Sequence, residues 1–240
     1  MRKLNVKKLL LTGLLGTVVF STNLMGADNK VLTEKQKSLI PIGVFTATGD
    51  LENLKESLND GLDSTLTVNE IKEVLVHSYA YAGFPRSLNG INTFISVLSE
   101  REKQGIKDEI GREASPVDKN IDKNQYGEKI RTSLTGVRPT PAYAKFAPVI
   151  DDFLKEHLFA DIFMRDNLDY LSRELTTISI LAGLGNVNGQ LAGHMNICMN
   201  VGMTPEQMNE FIDVLREKAG DETADNAQKV AEQVLKNRTK

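Results

Sequence analysis

The chain has 240 residues, 40% hydrophobic and 25% charged, with a formal net charge of -3 at pH 7, the profile of a globular protein with one large domain or two small ones. The acidic balance excludes the basic surface that nucleic acid requires. One cysteine, Cys198, excludes an internal disulfide and a Cys-x-x-Cys redox pair, and three scattered histidines (His77, His157, His194) give no metal-ligand set, so neither metal nor cofactor is expected.

Arg2, Lys3, Lys7 and Lys8 precede an uncharged apolar run, Leu9 to Phe20, and a short segment ending at Ala27. That layout predicts a secretory signal peptide over 1–27, hence a secreted or periplasmic protein with no membrane association after cleavage. The run is short for a membrane span, which leaves an uncleaved anchor as the alternative.

Leu32 to Thr48 reads as a helix made irregular near its start by Pro41. After the Gly49-Asp50 turn, Leu51, Leu54 and Leu58 mark a helix ended by Gly61. Thr67 and Glu70 form a capping box that starts a helix burying Ile71, Val74 and Leu75. Gly83-Phe84-Pro85 breaks it, and a further helix runs on with Leu88, Ile91, Ile95 and Leu98. Periodicity then fades, and 105–145 reads as a connector rich in charge, glycine and proline. Helices are expected over Ala147–Ala160, Leu168–Leu184 and Gly189–Val201. Another starts at the Thr204-Pro205-Glu206-Gln207 box, and a charged tail over 219–240 holds at most a short helix.

Leu54 to Val74 aligns with Leu191 to Phe211 without a gap, and Ile42 to Gly49 with Ile178 to Gly185 after one. The chain therefore reads as two copies of one unit, a helical hairpin plus a third helix, over 28–104 and 146–218. No stretch alternates long enough for a strand, so the class is all-α.

Two titratable residues fall on apolar stripes. Leu171, Glu174, Ile178 and Leu181 share one face of a helix; Leu191, His194, Cys198 and Val201 share one face of the next. Gln190 lies one turn before His194. A carboxyl in an apolar setting holds its proton more tightly, and an adjacent imidazole can share it, which suits proton transfer near neutral pH. The plainer alternative is a structural pair of Glu174 with His194, Arg173 or Arg165. His77, beside Val74 and Tyr81, either lines a pocket or hydrogen-bonds a neighbouring backbone group. Arg86, in the first turn of its helix, either holds an anion or is solvated. Cys198 reads as a small core residue, with a lone peroxidatic thiol as the other reading.

The stretch from Leu171 through Arg173, Glu174 and Thr177 to Ile178, followed by Gln190, His194, Cys198, Gly202 and Thr204, resembles the carboxymuconolactone decarboxylase family, related to the AhpD-like fold. Glu73 to Arg86 and Phe159 to Arg165 resemble further parts of that family. The resemblance implies an all-helical homotrimer or homohexamer acting on a small-molecule carboxylate. It also implies one of two activities. The peroxidase branch uses a Cys-x-x-Cys pair, whose positions here are Val187 and Gln190. The decarboxylase branch lacks that pair, as this chain does. A lactone-acid decarboxylase needs an anion site, assigned to Arg86 or Arg165 with His77, Tyr81 and Gln190 nearby, and a proton donor, assigned to His194 with Glu174. A peroxiredoxin-like protein and a non-catalytic periplasmic binding module are the alternatives.

Overall fold

The computed structural model describes residues 31–239, which are helical with no strand among them. The expected signal peptide lies outside the described residues. The elements are α1 (Glu34–Thr48), α2 (Leu51–Asp63), α3 (Val68–Lys103), α4 (Lys123–Thr135), α5 (Ala142–Phe146), α6 (Pro148–Phe153), a π-helix (Leu154–Ile162), α7 (Tyr170–Leu184), α8 (Asn188–Asn200), α9 (Pro205–Ala219) and α10 (Asp221–Arg238).

α1 and α7 form the centre and make the most extensive helix pair. From Leu39 to Ala47, and from Ser172 to Ala182, each is buried on every side; α1 is mostly apolar there, as a helix buried all round should be, whereas α7 also buries Arg173, Glu174 and several hydroxyl side chains. Small residues let the two axes approach closely: a Cβ on Gly43 would lie 2.9 Å from the Ser179 Cβ, and one on Gly183 would lie 3.0 Å from the Val44 carbonyl oxygen. α1 carries through Pro41 without a break.

The caps fall where the sequence puts them. Thr67 with Glu70, and Thr204 with Gln207, each close a capping box, satisfying amide donors that a helix start leaves open. α1 and α7 are each 15 residues long, and α2 and α8 each 13. The Gly83 break is a sharp kink at φ 78, ψ 165, across which α3 continues; a positive φ of that kind suits glycine.

Four expectations are corrected. Gly61 does not end α2, which continues to Asp63. Gly61 is buried, and its missing side chain leaves room for Leu66 and Ile42. The connector holds α4, capped by Asp122 and ended by Gly136 in the left-handed region. The helix expected over Ala147–Ala160 is α6 followed by the π-helix, ending at Ile162. The charged tail is the long helix α10, whose Ala224, Ala227, Val230, Ala231 and Val234 complete the main core.

A second, smaller core joins α4, the π-helix and α8 through Ile130, Leu134, Leu158, Phe159, Ile162, Phe163 and Ile197. α4 and the π-helix touch backbone to backbone at Gly127, where a Cβ would stand 1.8 Å from the Lys155 carbonyl oxygen.

Candidate functional site

The tight turn at Gly185-Asn186 lays α8 against α7. It brings His194 to Glu174, with Nδ1 and Oε2 2.7 Å apart. Glu174 is fully buried, and the His194 side chain is 14% exposed. An ionised Glu174 would accept the proton of Nδ1 in this contact and so leave Nε2 for chemistry. The second Glu174 oxygen, Oε1, is buried without a hydrogen-bond partner, an unusual state for a buried carboxylate.

His194 borders a cleft of about 540 Å³ between the two cores. Its walls are Ala80 and Tyr81 from α3, Leu154, Leu158 and Phe159 from the π-helix, and Gly193 and Ile197 from α8, together with Pro139, Tyr143 and Ile150. Arg131, Thr135 and Gln190 supply the remaining polar groups. A largely apolar hollow with a few converging polar groups is the usual form of a small-molecule site.

Tyr81 packs edge-on against His194, ring centroids 5.4 Å apart. Its hydroxyl is buried beside the Thr177 side chain, without a well-formed hydrogen bond. Burial, and then the nearby Glu174 charge, raise its pKa, so it stays protonated. Cys198 is fully buried, and burial followed by the Glu174 charge pushes its thiol well up. That is the reverse of the exposed, electropositive setting a reactive thiolate needs.

The remaining expected site residues fall elsewhere. His77 neither lines the cleft nor bonds a backbone group. It is sealed in the core with Nε2 2.7 Å from the Thr177 hydroxyl and Nδ1 3.4 Å from Arg173 Nη1, and burial followed by the Arg173 charge lowers its pKa. Arg165 turns away, donating from Nε to both oxygens of Glu73 at 3.1 and 2.8 Å. Arg86 is exposed and lies over Gly49, at the α1–α2 turn. Neither arginine lines the cleft beside His194. Of the structural partners considered for Glu174, Arg165 and Arg173 both bond Glu73, Arg173 from Nη2 at 3.0 Å, and the pair that forms is Glu174 with His194.

Sequence reasoning missed Glu73 and Arg131. Glu73 stands four residues before His77 and eight before Tyr81, so one α3 face carries all three; that spacing was available. Arg131 sits in the stretch without periodicity, and nothing in its neighbours signals it. Its guanidinium is held by Asp151 at 2.6 Å and by Glu128 at 2.5 Å, while Nε lacks a partner. Among the described residues, no cluster of three metal-binding side chains occurs, and no helix is long and apolar enough to cross a membrane.

Residues 148–233 match the model of the carboxymuconolactone decarboxylase family. The chain is also similar to 4-carboxymuconolactone decarboxylase of Acinetobacter baylyi (strain ATCC 33305 / BD413 / ADP1), at 27% identity over 114 residues, which is 46% of this chain and 84% of that protein. The family match contains Glu174, His194 and Cys198. Tyr81 and Arg131 lie before it.

Proposed function

We propose that the chain is a cofactor-free carboxy-lyase of the kind its decarboxylase relative represents, with His194 as proton donor and Glu174 as the group that orients and charges it. The observation that carries this is the 2.7 Å Glu174–His194 contact at the edge of the cleft. In such a reaction the bond to the carboxyl carbon breaks and carbon dioxide leaves. The electron pair stays on the substrate carbon, spread into a conjugated lactone carbonyl. The imidazolium Nε2–H then gives its proton to carbon, and the ionised Glu174 stabilises the charged ring before transfer. Tyr81, protonated and against the ring, confines His194 to one orientation.

Cys198 gives the peroxidase alternative no support, because the thiol is sealed and Val187 and Gln190 stand at the family's cysteine positions. The two-copy architecture belongs to the same proposal and is supported by the matched helix lengths and caps. So do export and a homotrimeric or homohexameric assembly, which N-terminal sequencing of the native protein and sedimentation velocity test. For the reaction itself, purified protein is incubated with 4-carboxymuconolactone and followed by absorbance and carbon dioxide release. Turnover that His194→Gln abolishes is the expected result. A flat trace over hours removes this substrate, and unchanged turnover in the variant removes the mechanism.

A further inference from the structure

The segment from Gly136 to Ile150 differs from the rest of the chain in charge and exposure. It holds Arg138 and Lys145 and no acidic residue, in a chain of formal net charge -3. Its large apolar side chains face outward. Phe146 is 93% exposed, and Val137, Tyr143, Val149 and Ile150 are exposed with it, as is Phe153 just beyond. Two short helices present most of them, α5 and α6, which meet at Ala147-Pro148. Single exposed apolar residues are ordinary, but a run of six within 17 positions marks a surface that something covers. The first acids after the segment, Asp151 and Asp152, are paired with Arg131 and Lys155. Arg138 bonds Glu128 yet stays largely exposed.

The charges distinguish between the surfaces that could cover it. A second copy meeting this face about a two-fold axis would set Arg138 and Lys145 against their own counterparts, with no carboxylate in the segment to pair them. An anionic lipid surface supplies the missing charge at its headgroups and takes up aromatic and aliphatic side chains just beneath. Lysine and arginine stems are long enough to keep their charged ends among the headgroups while neighbouring rings go deeper.

We propose that residues 136–153 dock the chain onto a bilayer with anionic headgroups, Phe146, Val149 and Phe153 entering the interface and Arg138 and Lys145 staying at the headgroups. Among the described residues no helix is long and apolar enough to cross a membrane, so the chain lies on the surface. The signal peptide alone points to a protein free of the membrane after cleavage; this segment supplies a reversible attachment of its own. Tyr143 and Ile150 also line the cleft, so docking holds the cleft beside the headgroup layer, whichever reaction takes place in it.

The chain has no tryptophan, so Phe146→Trp gives a single fluorescent reporter inside the segment. The full chain carrying it is titrated with vesicles of dioleoylphosphatidylglycerol and dioleoylphosphatidylcholine in equimolar mixture, and with dioleoylphosphatidylcholine alone, each also prepared with brominated acyl chains. The expected result is a blue-shifted emission that bromine quenches, with partition into the anionic vesicles tenfold or more tighter than into the neutral ones. Adding Lys145→Glu should weaken that partition tenfold or more. Ile95→Trp, an exposed position on the second half of α3, should stay unquenched, which separates this segment from insertion elsewhere in the chain. No shift with either vesicle, equal partition into both, indifference to Lys145→Glu, or equal quenching of Ile95→Trp overturns the proposal. A blue shift that needs no lipid and grows with protein concentration also overturns it, and assigns the face to a second copy.

Discussion

Replacing Glu73 with alanine should cost more stability than almost any other single change. Glu73 is 1% exposed, and Arg173, which it holds at 3.0 Å, is fully buried. Burial alone lowers the Arg173 pKa, and the Glu73 charge is the main force opposing that. Without the carboxylate, Arg173 keeps its bond to the Arg165 carbonyl at 2.6 Å and the long contact to His77, and its Nε is already without a partner. Stranding a buried charge in this way costs about 3–5 kcal/mol, a third or more of the stability of many domains. For a chain of this size that lowers the melting temperature by roughly 10 °C. Arg165→Ala removes the 39%-exposed partner of the same carboxylate and should cost under about 1 kcal/mol. Urea unfolding followed by circular dichroism measures both. If Glu73→Ala unfolds within about 1 kcal/mol of the parent, Arg173 is not held as a desolvated charge, and the account of this network is wrong.

Glu174→Gln keeps an acceptor for His194 Nδ1 but removes the charge, so turnover should fall by about 10²–10⁴-fold with the circular dichroism spectrum unchanged; full activity would remove Glu174 from the mechanism. His77 is buried with its pKa lowered, and it faces Arg173 from α7, His194 from α8, and Tyr81 from its own helix. Below the unfolded-state value near 6.5 the unfolded chain takes up a proton that the folded chain refuses, so stability falls as pH falls, by up to about 1.4 kcal/mol per pH unit from this group. His77→Asn should flatten that limb in urea titrations between about pH 6.5 and 5; an unchanged slope would assign the acid sensitivity elsewhere. The native Cys198 thiol should resist iodoacetamide until the chain unfolds, as read by mass spectrometry, and Cys198→Ser should leave any peroxide consumption unaltered. Gly127→Ala, whose Cβ would meet the Lys155 carbonyl at 1.8 Å, should cost about 1–3 kcal/mol or more; a neutral result would mean that α4 does not lie against the π-helix backbone.

The central helices and the Glu174–His194 pair were legible because their signals are local. Threonine boxes start α3 and α9, glycines turn the chain, and a three-four-three spacing places both titratable groups inward. The far wall of the cleft was not legible. α4 hangs on Ile130 and Leu134 with a partly buried Tyr126, too sparse a stripe to stand out among its charges. Arg165 and Arg86 were natural anion holders by type, but no spacing tells which element packs across from an arginine. Arg165 found Glu73, whose own role was hidden because a lone Glu on a helix is ordinarily solvated.

The π-helix gives the chain slack in its length at one place. Such a turn closes its hydrogen bonds five residues apart and holds a residue more than an α-turn spanning the same path. Deleting one residue from 154–162 would let the segment wind as an ordinary α-helix and leave what precedes it close to its present orientation. A second deletion would find no slack to take up, and would swing everything on its amino-terminal side by about 100° about the axis. Ile150 would then rotate off the hollow, and Asp151 would be carried away from Arg131 without touching Glu174 or His194.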